Sequence, residues 1–229
     1  MRRLLTATLV AAFVTPLVVG AQEAEVTANA GFVSQYYYRG APLKTSSASA
    51  GLDVAVSDFS VGTWAADVGS GAEVDLYASY GVDITDDVSV SVGGTGYFYT
   101  GEADVTYLEV NLGVGFGPIS LEYAGGEYRT SPSMKYSFLA VTAEHEGLFA
   151  TVGTSAYAAD FGDTLGDAFK KDMGLQYLEA GYGFSAADLD LSISGIWNDS
   201  DLSLETDGTG AATHEFTLVF GVSKTFSLN

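Results

Sequence analysis

From Ala24 onward, apolar residues return at every second position, the spacing that turns them to one face of a β-strand and their polar neighbours to the other. The clearest run is Glu73 to Val82, where Val74, Leu76, Ala78, Tyr80 and Val82 alternate with Glu73, Asp75, Tyr77, Ser79 and Gly81. Leu108, Val110, Leu112, Val114 and Phe116 repeat it against Tyr107, Glu109, Asn111, Gly113 and Gly115, as do Phe216, Leu218, Phe220 and Val222 against Glu215, Thr217, Gly221 and Ser223. Twelve such runs are expected, over 25–38, 47–57, 59–68, 73–82, 88–99, 104–116, 119–127, 135–144, 148–158, 174–184, 188–197 and 213–226. Their connections alternate. Those after the even-numbered runs are tight (Asp58, Asp83 to Asp87, Gly117-Pro118, Glu144 to Gly147, Ser185 to Ala187). Those after the odd-numbered runs are mostly longer and polar (Gly40 to Ser46, Gly69 to Ala72, Thr100 to Ala103, Tyr128 to Met134, Ala159 to Met173, Asn198 to Ala212). An even number of antiparallel strands with turns at one end and loops at the other predicts an all-β fold, a single transmembrane β-barrel with periplasmic turns and extracellular loops.

The first 21 residues break this pattern. Met1-Arg2-Arg3, an apolar run from Leu4 to Val19 broken by Pro16, and the small residues before Gln22 predict a secretory signal peptide over 1–21, leaving 22–229 as the barrel. After Ala21 no apolar run approaches the roughly 20 residues of a spanning helix. The 229 residues carry a net charge of -20 and 47% hydrophobic residues, which excludes a basic nucleic-acid binder and an acidic disordered chain. The chain has no cysteine, which removes disulfides, thiolate metal sites and a cysteine nucleophile, and it has only two histidines.

Period two does not say which face is inside. Twelve strands enclose a lumen too wide to fill easily with Val and Leu, so the apolar face is expected to meet lipid and the acids to line the lumen. Aromatics near strand ends (Tyr36, Tyr37 and Tyr38; Tyr97, Phe98 and Tyr99; Phe116, Tyr157, Phe184, Trp197 and Phe226) read as two interfacial girdles, with Trp64, mid-strand, outside that pattern and open to either face. The expected lumen face carries Gln35, Tyr37, Arg39, Glu73, Asp75, Tyr77, Glu109, Asn111, Glu122, Tyr177, Glu179, Asp190 and Glu215. Such a lining concentrates cations, and Arg39 is expected to pair with some of these carboxylates across the barrel.

The stretch Gly31-Phe-Val-Ser-Gln-Tyr-Tyr-Tyr-Arg-Gly40 resembles the opening motif of a proteobacterial outer-membrane family, mostly uncharacterised and known as TorF-type porins. Further similar pieces are Glu73-Val-Asp-Leu-Tyr77, Tyr107-Leu-Glu-Val110, Phe116-Gly-Pro118, Gln176-Tyr-Leu-Glu179 and Val222-Ser-Lys-Thr-Phe226. Two positions depart from it: Gln35 stands where an acid is usual, and Ser227-Leu228-Asn229 follow Phe226, where many such barrels end on the aromatic. The resemblance implies a small outer-membrane pore without catalytic residues, its name linking the family to trimethylamine N-oxide respiration.

Enzymatic chemistry finds little to work with. His145 falls in a tight turn at the expected periplasmic end; His214, beside Glu215 near the outer rim, is the one candidate for a barrel hydrolase. Gly113, Gly115 and Gly117 lie in a strand with no helix following, so they cradle no phosphate. Asp160, Asp163, Asp167, Asp199, Asp201 and Asp207 lack the EF-hand spacing and read as solvated loops near lipopolysaccharide phosphates.

The expected function is passive passage of small solutes, with cation preference, through a bacterial outer membrane, without cofactor, metal or nucleic acid. The expected partners are outer-membrane lipids, lipopolysaccharide, the barrel assembly machinery and the solute. Two alternatives stand: a non-conducting structural or surface-binding barrel, and the His214 hydrolase. A continuous lumen lined by Glu73, Asp75 and Glu109 favours the pore, a lumen closed by side chains or an inserted loop the structural barrel, and a His214 to carboxylate contact the enzyme.

Overall fold

A computed structural model describes residues 24–101, 103–158, 175–206 and 209–228, the side chains of 157 and 158 aside. The expected signal segment and the loop acids Asp160, Asp163, Asp167 and Asp207 lie outside these residues. The chain forms twelve strands: β1 (Glu25–Tyr38), β2 (Ala41–Val56), β3 (Phe59–Asp67), β4 (Ala72–Thr85), β5 (Val88–Tyr99), β6 (Tyr107–Phe116), β7 (Ile119–Tyr128), β8 (Met134–His145), β9 (Leu148–Ala158), β10 (Tyr177–Ala186), β11 (Leu189–Asn198) and β12 (Glu215–Ser227). Each pairs antiparallel with its neighbours in sequence, and β1 pairs with β12 from Thr27–Ser227 to Val33–Gly221, which closes the barrel. Closure pairs the first strand with the last over that stretch, as a sheet that sits in hydrocarbon requires.

The apolar face points outward. Along β6, Leu108, Val110, Leu112, Val114 and Phe116 are 44–64% exposed, while Tyr107, Glu109 and Asn111 between them are buried in the lumen. The same holds for Leu76 against Glu73 and Asp75 on β4, and for Phe216, Leu218 and Phe220 on β12. A water-soluble barrel would reverse this, because its apolar side chains gain by leaving water.

At one end, the turn end, all five links are two residues long; left-handed backbone at Ser57, at Gly117, at the pair Glu146-Gly147 and at the pair Ala187-Asp188 gives four of them the twist that hairpins favour. At the loop end the links are longer, with one exception that corrects the expectation. The segment Gly40 to Ser46 is not a loop: β2 begins at Ala41, and Arg39 (φ 51°) and Gly40 (φ 83°) alone make the turn. The aromatic girdles also need correction. Phe98, Phe116, Phe184 and Phe226 face outward and are exposed, but Tyr36, Tyr97 and Tyr107 are buried inside, joined by Tyr38, Tyr99 and Tyr128. Trp64 is a lumen residue too, its ring centroid 5.9 Å from that of Tyr36.

Candidate functional site: an arm across the lumen

The β1–β2 hairpin does not stay in the wall. The β1–β12 ladder stops at Val33–Gly221 and the β2–β3 ladder begins only at Ser49–Ala66, so among the described residues the tip, 34–48, has no strand ladder but its own. Two irregularities bend it. Its register shifts between Tyr36 and Tyr37, and Ser46 sits at φ 63°, a region few non-glycine residues enter. The tip folds into the barrel and touches the opposite wall. A Cβ on Gly40 would lie 2.4 Å from the Cβ of Tyr177 on β10, so glycine is required there both by its φ and by the approach.

Arg39, at the apex, makes the central contact. Its guanidinium donates to both oxygens of Glu109, at 2.8 and 3.0 Å, and to Glu122 at 3.3 Å. Its plane lies 4.3 Å from the Phe138 ring centroid and 4.8 Å from that of Tyr38. A planar five-donor cation suits this place, since it can meet two carboxylates edge-on while stacking on rings. Glu109 is saturated: it also accepts from Tyr97 (2.8 Å), Tyr136 (2.7 Å) and Asn111 (2.7 Å). Tyr36 donates to Glu73 at 2.5 Å, Tyr99 bonds the same carboxylate, and Tyr38 reaches Tyr97 at 3.0 Å. On the arm's other side Tyr37 contacts Glu215 (2.9 Å) and Thr217 (2.8 Å). The arm is tied at its base by Lys44, which donates to Asp67 at 2.6 Å, and by the hydroxyl of Ser47, which donates to the Asp67 carbonyl.

Glu73, Asp75, Glu109, Asn111 and Glu122 thus surround the arm tip and its Arg39, with Tyr177 behind it. Tyr77 lies one layer towards the turn end, donating to Asp53 at 2.5 Å, and Glu179 faces the lumen beside Ser194. Asp190 is apart from them at the turn end, where it accepts from Ser185. Asp75 is buried, with one carboxylate oxygen lacking any partner. The tyrosine cluster was missed by the reading of girdles, although position parity held the signal: Tyr107 lies on the face of Glu109, and Tyr97 and Tyr99 on the face of Thr95.

Beyond the arm, towards the turn end, the inward side chains shrink. Ser60, Gly62, Ser79, Gly81, Ser89, Ser91, Gly93, Gly113 and Gly115 line much of that half, with Tyr77 on β4 and the buried Phe149 on β9 the larger side chains among them. On the loop side a cavity of about 180 Å³ remains between arm and rim, lined by Tyr38, Arg39, Leu43, Tyr107, Tyr136 and Phe138 among others.

His145 is exposed at the turn end, and His214 packs on Trp197, ring centroids 5.3 Å apart, with no carboxylate contact among the described residues; Glu215 beside it turns inward to Tyr37. Among the described residues no group of three or more His, Asp and Glu is arranged to hold a metal.

Fold and site together define a closed β-barrel of the membrane-spanning kind, its lumen crossed by an inserted hairpin. The sequence profile of Gcw_chp, a family of bacterial proteins of unknown function, matches residues 19–226, and the chain belongs to that family. The TorF name drawn from the motifs adds a role that this match does not carry. No curated protein matches the chain. Among solved structures, one from a study of in-meso crystallization of membrane proteins is 11% identical, over 89% of this chain and 84% of that one, with a TM-score of 0.52. The outer-membrane protein OprD of Pseudomonas aeruginosa is 14% identical over 89% of this chain and 67% of its own, TM-score 0.41. OpdK of the same organism is 10% identical over 80% and 58%, TM-score 0.39. The chain therefore spans about two thirds of OprD and less of OpdK, and these likenesses concern the fold.

Proposed function

We propose that the protein is an outer-membrane channel for passive diffusion of small solutes, cation-preferring, and shut in this conformation by its β1–β2 arm. The observation that carries this reading is where the blockage sits. A barrel that served only as a scaffold could fill its lumen throughout, whereas here bulky side chains crowd at the arm's level and the turn-end half, Tyr77 and Phe149 apart, is lined mainly by small residues such as Gly and Ser. The cation preference is supported by the acids around the arm: Glu109 and Glu122 share Arg39, and Glu73 and Asp75 lie buried on the same lumen face. The same reading includes passive solutes, lipopolysaccharide as a neighbour, insertion by the barrel assembly machinery and a turn end in the periplasm.

The arm itself favours a second reading, a non-conducting structural barrel, since an inserted segment does close the lumen. Planar-bilayer recording under a salt gradient separates the two. The channel reading expects current with a cationic reversal potential from the folded wild type or from Arg39→Gln, in which the arm's ion pairs are gone. Silence from both folded proteins sinks it, and an anionic reversal potential sinks the acidic filter.

A further inference from the structure

Where β1 bends into the lumen it leaves a strand edge behind. Among the described residues, the side of β12 that faces it has no ladder partner from Glu215 to Phe220; the hydroxyl of Ser34 accepts from the Phe220 amide at 2.9 Å, in place of a backbone carbonyl. Backbone groups of alternate residues point the same way along a strand, so Leu218 and Phe216 aim their amides and carbonyls at the same vacated position. Their side chains are exposed on the outer wall, in the apolar belt. An unpaired edge is a template for a strand, and one facing lipid has no water to satisfy it.

We propose that the occupant of this edge is the arm itself, and that the β1–β2 hairpin is a two-position gate: folded inward it shuts the lumen, and zipped onto β12 it opens it. The existing register dictates the second position. Continuing from Val33–Gly221 sets Ser34 against Phe220, Gln35 against Val219, Tyr36 against Leu218, Tyr37 against Thr217 and Tyr38 against Phe216. In that register Tyr36 and Tyr38 point outward with Phe32, into the belt where tyrosine suits a membrane interface, while Gln35 and Tyr37 face the lumen. Phe32, Tyr36 and Tyr38 on one face and Gln35 and Tyr37 on the other therefore suit the wall as well as the lumen, with Ser34 the one small polar residue turned outward.

The two positions exchange matched interactions. Inward, the arm holds the Arg39 ion pairs and the Tyr36–Glu73 and Tyr38–Tyr97 hydrogen bonds. Outward, it completes the β12 ladder, and Tyr37 keeps Thr217 as its neighbour across the strands. The hairpin's own ladder survives in both, so the movement is a hinge between Val33 and Ser49, pivoting at the left-handed Ser46. Opening also withdraws the arginine from the acids, so the open lumen is the more cation-selective of the two. This inference rests on the channel reading and supplies its regulation.

The test uses the absence of cysteine from the chain. In the full-length barrel, Tyr38→Cys with Phe216→Cys places one thiol across the lumen, where Tyr38 now meets Tyr97, and the other on the outer wall. Oxidation is expected to join them, most readily in an Arg39→Gln background, and the joined barrel to carry a steady current several-fold above the reduced one, reversed by dithiothreitol. Heat-modifiable gel mobility verifies folding, and Tyr36→Cys with Leu218→Cys serves if the first pair does not fold. A conducting barrel that forms no crosslink in either background, or whose current ignores it, overturns the gate and leaves the channel standing. A crosslinked barrel as silent as every other form overturns the channel instead, leaving only the arm's docking on β12.

Discussion

At the scale of single residues, the lumen is ordered by one cation. Arg39 pairs with Glu109, whose side chain is fully buried, so its removal strands a carboxylate that the remaining tyrosine and asparagine donors only partly satisfy. Arg39→Met is expected to destabilise the folded barrel by about 3 kcal/mol, as removal of one partner of a buried pair does. Adding Glu109→Gln should return part of that loss, read as a positive coupling in a double-mutant cycle of urea unfolding in micelles; strict additivity would show that the pair does not act as a pair. Asp75 presents the opposite case. Its unpartnered oxygen gives the fold nothing, so Asp75→Asn should leave the unfolding midpoint unchanged or raised while moving the reversal potential towards zero. Gly126 shows how tightly the tyrosines are set: a Cβ there would lie 2.2 Å from Cζ of Tyr136, which bonds Glu109. Gly126→Ala is expected to cost about 1–3 kcal/mol in the same unfolding measurement. Much of this layer was legible in advance. Arg39, Glu73, Asp75, Glu109 and Glu122 fall on the face that parity assigns to the lumen, but parity says nothing of who pairs with whom. The tyrosines were misplaced because an aromatic near a strand end fits a lipid interface and a hydrogen-bonded lumen equally well by composition.

At the scale of elements, the arm is where sequence reading failed, and the reason is physical. Ala41-Pro-Leu-Lys-Thr-Ser-Ser47 lacks the alternation of the other strands because neither of its faces meets lipid. Alternation is a record of two different environments on two sides of a strand, and this half-hairpin has lumen on both. The other half, Phe32 to Tyr38, is rich in aromatics, and the expected span of 25–38 that contains it agrees with β1. Gly40 is the point at which the element can be tested. Gly40→Val puts a branched side chain where Tyr177 leaves no room and where φ is 83°, so it should drive the arm out and raise conductance several-fold; a barrel that folds normally and conducts as wild type would contradict the arm's placement.

At the scale of the whole molecule, the outward belt was the most legible feature, since period two over twelve runs has few other uses. Val110, mid-strand on β6 and 54% exposed, sits in that belt. Val110→Arg is expected to cost about 2–4 kcal/mol when folding is measured into lipid bilayers, the penalty for a cation near the bilayer midplane. Equal stability in bilayers would argue that this surface does not face lipid. The charge of -20 has a place as well: part of it lines the lumen, and Asp58, Asp86, Asp87, Asp188, Asp199 and Asp201 sit in turns and links at the two rims.

The seam between β1 and β12 has one further implication. Eleven of the ladders join strands adjacent in the chain and can form locally, as soon as each hairpin exists, whereas the twelfth joins Thr27 to Ser227 across the whole length. Formation of that ladder carries nearly all the loop-closure entropy of the fold, and non-local pairing of this kind is slow. Until it forms, the polypeptide is a curled sheet with two sticky margins, ready to zip to a neighbouring copy as easily as to itself. The timing of assembly is thus set by its last strand, and a ribosome or secretion machine that releases β12 late holds every copy in that adhesive state for longest.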